Sequence, residues 1–212
     1  MHDIPCSTTR PRCHPATPTR VRLVALALSL ILMGVESASG QASPIERLRA
    51  FFLASVEDET AIEAANVYLT SLPGEAAPEI RAYGAIFEIM RARHAFWPVR
   101  KMHHLNAGLP VLDALVTDHP DHLEIRYLRL MACYYLPRLL GRGWSVEADL
   151  LALAELLPGA ARAYPAGLYR EMVRFVVDSE VVSEEQRHGL RNALAASERA
   201  GGVTTGPAAG GY

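Results

Sequence analysis

The sequence predicts an all-α fold, built as a stack of antiparallel helical hairpins with about eight helices. Apolar residues recur at three- and four-residue steps through most of the chain after residue 43, which is the period of a helix that buries one face. Serine or proline start signals and Pro-Gly or Gly stop signals divide this region into short segments. Short connections favour antiparallel neighbours, so successive segments are predicted to pair.

Proline marks the starts of three of the first four predicted helices. Ser43 is a good N-cap in front of Pro44, and Pro78 and Pro98 occupy the first positions of later helices. Pro110 falls inside the fourth helix, where it lacks an amide and clashes with the preceding turn, so we expect a kink or a break there. The predicted ranges are 44–56, 60–72, 78–95 and 98–118.

The last four predicted helices begin with the most apolar one. Its sequence is apolar almost all round, which is typical of a central helix with neighbours on several sides. Ser145 is predicted to cap the next helix, and Ser183 with Gln186 three residues later has the spacing of a capping box. The predicted ranges are 121–136, 145–157, 166–177 and 183–199.

One junction resembles a known repeat. Gly108, Leu112, Leu115 and Pro120 have the spacing of the second helix and turn of a tetratricopeptide unit, with Gly108 in the small-residue position. The first helix of such a unit does not match, because the break at 96–98 interrupts its pattern. The resemblance covers about one helix and a turn, and it implies a right-handed solenoid of degenerate repeats.

A second resemblance concerns the central helix. The run Leu123-Glu-Ile-Arg-Tyr-Leu-Arg129, followed by Pro137-x-x-Leu140-Gly141, is similar to a group of uncharacterised bacterial exported helical proteins. This resemblance implies a helical fold and supplies no activity.

The N-terminal residues 1–42 have the pattern of a leader and secretory signal peptide. Four arginines precede an uncharged apolar run, 23–35, which is too short to cross a bilayer and is followed by small residues. Cleavage is expected after Gly40 or, preferably, after Ala42; the alternative is an uncleaved anchor. The sequence therefore predicts an exported bacterial protein, located in the periplasm or outside the cell, with a helical domain at 43–199 and a disordered tail at 200–212.

The residues after Ala42 carry 17 basic and 21 acidic side chains, a net charge of −4, and include one lysine, Lys101. No basic stripe is present, which argues against nucleic acid as a partner. Cys133 is the one cysteine left after the expected cleavage, and its apolar surroundings predict burial, with pairing to another chain as the alternative.

Five histidines lie between residues 94 and 122, and three of them approaching one another would suit zinc or copper. Their spacing is not a known ligand signature, and we predict neither a metal nor a cofactor. The histidines are His94, His103, His104, His119 and His122.

Charged residues on the most apolar helix need partners, because burial of an unpaired charge is costly. Arg126 and Arg129 share a face one turn apart, and Glu124 lies on the same helix. We predict an ion-pair network with residues such as Glu88 or Asp113; the alternative is that the two arginines hold a carboxylate or phosphate of a ligand.

Aromatic and basic residues cluster where the third and fourth helices meet. Phe96 and Trp97 are flanked by arginines and Lys101. The cluster could form the floor of a groove that binds a peptide or an anionic ligand. The alternative is a structural role, in which the Trp97 ring packs against a helix turn as a staple. The predicted binding surface, including the two arginines of the central helix, comprises Arg93, Trp97, Arg100, Lys101, Arg126 and Arg129.

Sequence motifs of the common hydrolases, phosphate-binding loops and metalloproteases are missing from the chain, so no catalysis is expected. The predicted function is a protein- or peptide-binding module that uses a concave helical face. The alternatives are an envelope protein that binds a small ligand or metal through the histidines or Arg126 and Arg129, and a weak hydrolase with an unrecognised site.

Overall fold

Eight α-helices connected by turns make up the residues that the computed structural model describes, 42–73 and 77–202, and no strand occurs among them. The all-α prediction is confirmed. The predicted leader up to residue 41, and the tail from 203 onward, lie outside the described residues. The helices are α1 (Pro44–Ser55), α2 (Thr60–Ser71), α3 (Pro78–His94), α4 (Pro98–Asp118), α5 (Leu123–Tyr134), α6 (Gly143–Leu156), α7 (Ala166–Val177) and α8 (Glu184–Gly202).

Two helix starts have the reciprocal bonds of a capping box. The Glu46 amide donates to the Ser43 hydroxyl at 3.2 Å, and the Ser43 amide donates to the Glu46 carboxylate at 2.8 Å. Ser183 and Gln186 form the same pair of bonds at the start of α8, at 3.2 and 3.1 Å. These side chains satisfy amides that have no partner inside the helix, so the predicted N-caps at Ser43 and Ser183 are confirmed.

Three details of the helix assignment differ from prediction. Ser145 is not an N-cap: α6 begins at Gly143, and the buried Ser145 hydroxyl donates to the Arg142 carbonyl at 2.8 Å. Pro110 does not divide α4, which is continuous because the proline lies on its exposed side, where water can satisfy the carbonyl one turn earlier. The last helix reaches Gly202, three residues beyond its predicted end at Arg199.

The helices pair in sequence order, as hairpins. The pairs are α1 with α2, α3 with α4, α5 with α6 and α7 with α8, and the first helices of the first three pairs, α1, α3 and α5, also pack on one another in that order. This packing agrees with a stack of hairpins, while the right-handed solenoid remains a prediction. None of the helices in the described ranges has both the length and the apolarity required to cross a bilayer.

Helices α3 and α4 approach each other closely at Gly108. A Cβ atom built on Gly108 would stand 2.6 Å from the Ala85 carbonyl oxygen and 2.6 Å from Cγ1 of Ile89. Any larger residue would push the two helices apart. Gly108 is the residue that the sequence assigned to a small-residue position, and its contacts give that assignment a physical reason.

Helix α5 contributes to two hydrophobic cores. The first core is formed by α1 to α5 and includes Ile125 and Leu128, whereas the second is formed by α5 to α8 and includes Leu130. Eight of the twelve residues of α5 are buried, among them Cys133, which is 3% exposed. The predictions of a central helix and of a buried cysteine are confirmed.

Candidate binding groove

The five histidines considered as an alternative metal site do not come together. Nδ1 of His104 lies 2.8 Å from a carboxylate oxygen of Glu88, and Nε2 of His122 lies 2.7 Å from one of Glu79. These two glutamates are nine residues apart on α3, roughly 13 Å along the helix axis. Nowhere in residues 42–73 and 77–202 do three His, Cys, Asp or Glu side chains come close enough to hold a metal ion.

His122 joins the starts of α3 and α5. Its Nε2 faces a carboxylate, which only accepts, and its Nδ1 accepts a long hydrogen bond from the Ile125 amide at 3.4 Å. These partners assign the proton of a neutral imidazole to Nε2. Burial by itself would raise the pKa of Glu79, but the hydrogen bond from His122, a backbone hydrogen bond and the electrostatic attraction of His122 and His119 together outweigh burial, so the pKa of Glu79 is lowered.

Arg126 and Arg129 face a buried carboxylate rather than a binding surface. Asp149, on α6, is fully buried; it accepts two bonds from Arg129, both at 2.8 Å, and one from Arg126 at 2.9 Å. Burial of Arg129 would lower its pKa, yet its hydrogen bonds to Asp149 and Asp113 and the negative charges of these two carboxylates together outweigh burial and raise the pKa. The ion-pair interpretation of these arginines therefore agrees with the geometry.

Asp113 extends this network to α4 and to the turn before α6. It lies 3.2 Å from Arg129 and accepts two bonds from Arg142, at 2.7 and 2.9 Å. The half-exposed Trp144 ring lies beneath both guanidinium groups, at 5.7 Å from Arg129 and 5.4 Å from Arg142. Asp113 was one of the two partners expected from the sequence; Asp149 was not anticipated. The other expected partner, Glu88, contacts His104 and Arg91 instead.

Glu124 has a separate set of partners on the earlier helices. Arg49 of α1 donates two bonds to its carboxylate, at 2.8 and 2.7 Å, and the Tyr83 hydroxyl of α3 donates a third at 2.7 Å. Burial, together with the nearby Glu124 charge, raises the pKa of Tyr83, so its hydroxyl remains a donor at neutral pH. This network binds together α1, α3 and α5, the three helices that form the walls of the groove described next.

An apolar groove of about 840 Å³ lies where α1, α3 and α5 come together. The start of α4 and the segment 135–140 complete its walls, and none of the described residues that line it is acidic. Burial raises the pKa of Tyr127 to about 12, so that hydroxyl is neutral at physiological pH. From the three helices, the lining residues are Phe52, Leu53, Val56, Ile86, Ile89, Met90, Ala92, Arg93, Tyr127, Met131 and Ala132.

Large apolar side chains of the groove are open to solvent. Leu139 is 86% exposed, Tyr135 74% and Leu53 63%. A monomeric protein rarely exposes a contiguous apolar patch of this kind unless it binds something there. This groove is therefore the candidate binding site of the described domain.

The predicted aromatic and basic cluster is divided between two concavities. Arg93 and Lys101 line the apolar groove, whereas Trp97 and Arg100 line a smaller neighbouring concavity of about 370 Å³ that also includes His94. Trp97 is 64% exposed and packs edge-on against Phe96 at 5.2 Å, so the ring does not staple a helix turn.

Of the six residues predicted as a binding surface, two line the groove, two line the adjacent concavity, and Arg126 and Arg129 line neither. The contributions of α1 and α5 to the groove were not identified from the sequence. Their apolar residues carry no signal that separates a groove wall from a core face, because both have the same helical period.

No model of a protein family matches the chain, and no significant similarity is found to a curated protein or to a solved structure.

Proposed function

We propose that this protein is an exported, non-catalytic binding module that holds a segment of another protein or a peptide in the apolar groove. The observation that carries the proposal is the groove itself: an open concavity of about 840 Å³ with apolar walls from three helices. Its volume lies within the range of about 300–1,000 Å³ that is usual for binding sites. Stacks of helical repeats commonly bind their partners on an extended concave face.

The packing around the groove supports a preformed site. Glu124 and its partners Arg49 and Tyr83 fix α1, α3 and α5 relative to one another through charge-assisted hydrogen bonds of 2.7 to 2.8 Å. Walls that are held in place before binding reduce the conformational entropy lost on association.

Export forms the second part of the proposal and rests on the pattern of residues 1–42. Its test is the intact mass of the protein purified from a bacterial exporting host. A mass that begins at Gln41 or Ser43 would support export, and a full-length mass in the membrane fraction would refute cleavage.

Two substitutions in the groove test binding. Leu53→Glu and Leu139→Glu place carboxylates on exposed apolar positions, so the fold tolerates them while the groove loses its apolar character. Val67→Glu is the matched control, because Val67 is 71% exposed on α2 and does not line the groove.

The experiment selects peptides from a random 16-residue library on the immobilised mature protein. Selected peptides are expected to bind the wild type and Val67→Glu equally, and to bind the Leu53→Glu, Leu139→Glu double variant at least tenfold more weakly. Equal binding to all three proteins, or selection of no peptide, would overturn the proposal.

A small apolar ligand is the second candidate, and the volume of the groove, about 840 Å³ with apolar walls, is the observation that favours it. In this case, a long-chain carboxylate such as dodecanoate would raise the melting temperature of the wild type, and no library peptide would compete with it.

A further inference from the structure

The charged residues of the apolar groove are all of one sign. Arg93, at the end of α3, and Lys101, in the second turn of α4, are the two charged side chains among its lining residues, and neither is balanced by an acid there. Arg93 donates its Nε–H to the Val56 carbonyl at 2.8 Å, and its guanidinium lies 4.0 Å from Glu57, whose side chain is 88% exposed. A pair that long and that exposed neutralises little of the Arg93 charge.

The same end of the groove has further positive potential. No side chain caps the start of α4, where Trp97 occupies the N-cap position, so the free amides of its first turn add the positive end of the helix dipole. Arg100 lines the adjacent concavity together with Glu59 and with Arg91, whose charge is paired with Glu63 at 3.0 Å, so Arg100 is the cation there that adds to the charge of Arg93 and Lys101. One end of an otherwise apolar groove is therefore positive.

The walls of the groove select the conformation of an occupant. They are helices, whose backbone donors and acceptors are already paired within each helix, so they offer no edge to which a strand could be added. An occupant that enters an apolar groove must satisfy its own backbone, which an α-helix does. Met90, Met102 and Met131 line the groove, and flexible thioether side chains adapt well to an inserted helix.

The C-terminal residues of this chain do not match these requirements. Positions 203–212 contain no acid, and Val203 and Tyr212 are the large apolar residues among them. These ten residues therefore do not supply the occupant, and the apolar run 23–35 is expected to be removed with the leader.

We infer that the occupant of the groove is an amphipathic α-helix of a partner protein, whose apolar face enters the groove and whose acidic flank meets Arg93 and Lys101. This inference rests on the proposed function and specifies the chemistry of its partner.

Two synthetic helices serve as probes. Both are fluorescein-labelled 16-residue peptides with leucine at positions i, i+3, i+4 and i+7; one has glutamate on the flank, and the other has glutamine at the same positions. Fluorescence anisotropy gives the Kd of each peptide for the mature protein and for the double variant Arg93→Gln, Lys101→Gln. The control is the double variant Arg162→Gln, Arg191→Gln, which loses the same charge outside the groove.

The glutamate helix is expected to bind about fivefold more weakly to the Arg93→Gln, Lys101→Gln variant than to the wild type or the control, and its affinity should fall at high salt. The glutamine helix should bind all three proteins equally, and more weakly than the glutamate helix binds the wild type. If the two helices bound the wild type with equal affinity, the inference of an acidic flank would be overturned. If both helices also bound the Leu53→Glu variant more weakly than the wild type, the proposed function would still stand. Binding of dodecanoate without binding of either helix would overturn both.

Discussion

Replacement of Asp149 by asparagine is expected to be the most destabilising single change of a charged side chain described above. Asp149 is fully buried and accepts three hydrogen bonds from Arg126 and Arg129, at 2.8 to 2.9 Å. The amide of the introduced side chain would keep one acceptor but turn an NH₂ donor toward the guanidinium groups. The positive charge of the 5%-exposed Arg129 would then be left with the longer contact to Asp113.

Breaking a buried ion pair by removing one partner costs about 3–5 kcal/mol. The remaining Asp113 contact places the expected cost at the lower end, at about 3 kcal/mol. With an m-value of about 2 kcal/mol/M in urea, the unfolding midpoint would fall by about 1.5 M. The melting temperature of a domain of this size would fall by about 6–12 °C.

Urea unfolding followed by circular dichroism in the far ultraviolet measures this loss. Glu147→Gln on the same helix is the matched control, since Glu147 is exposed, and it should shift the midpoint negligibly. The double variant Arg129→Met, Asp149→Leu removes both charges and should be more stable than Asp149→Asn. A loss below about 1 kcal/mol for Asp149→Asn would refute the reasoning, because the carboxylate would then not be the buried centre of the network.

Five further substitutions test three other sets of contacts by thermal or urea unfolding. Gly108→Ala should lower the free energy of unfolding by about 1–3 kcal/mol, since its methyl would stand 2.6 Å from the α3 backbone. Gly84→Ala should raise it by about 0.5–1 kcal/mol, because the nearest atom to the added methyl is 3.9 Å away. If both variants shifted the free energy of unfolding in the same direction, the described packing would be contradicted. The pKa of Glu79 is lowered in the folded state, so Glu79 contributes stability above its unfolded pKa of about 4.3 and loses this contribution as the pH falls toward its folded pKa. Glu79→Gln or His122→Ala should therefore make the free energy of unfolding less dependent on pH below about pH 4.3. An unchanged pH dependence in this range would refute the reasoning. Tyr83→Phe removes a 2.7 Å bond to a buried carboxylate and should cost about 1.5 kcal/mol, and a neutral effect would show that the carboxylate does not depend on it.

Helix positions were predictable because their signals are local. Capping residues, proline at the first turn and a 3.6-residue apolar period all act within a few residues, and they placed most helix ends within two residues of their positions in the structure. Ser145 was misjudged because the same residue type also bonds to a carbonyl inside the first turn of a helix.

Partners of the buried charges were not predictable in the same way. Glu124 and Arg49 are 75 residues apart, and Arg129 and Asp149 are 20 apart, so their pairing depends on the packing of hairpins rather than on spacing within one helix. The groove was anticipated only through Arg93 and Lys101, whose charges are unusual beside an apolar helix junction.

Helix α5 connects the groove to the second hydrophobic core. Tyr127 and Met131 line the groove on one side and pack against the second core, which contains Tyr169 and Met172 of α7, on the other. A helix bound against Met131 would restrict the motion of α5, which packs against the core that contains α7. Amide hydrogen exchange in α7 should then slow on binding, although α7 contributes no residue to the groove. Exchange in the C-terminal half of the domain would therefore show whether the groove is occupied.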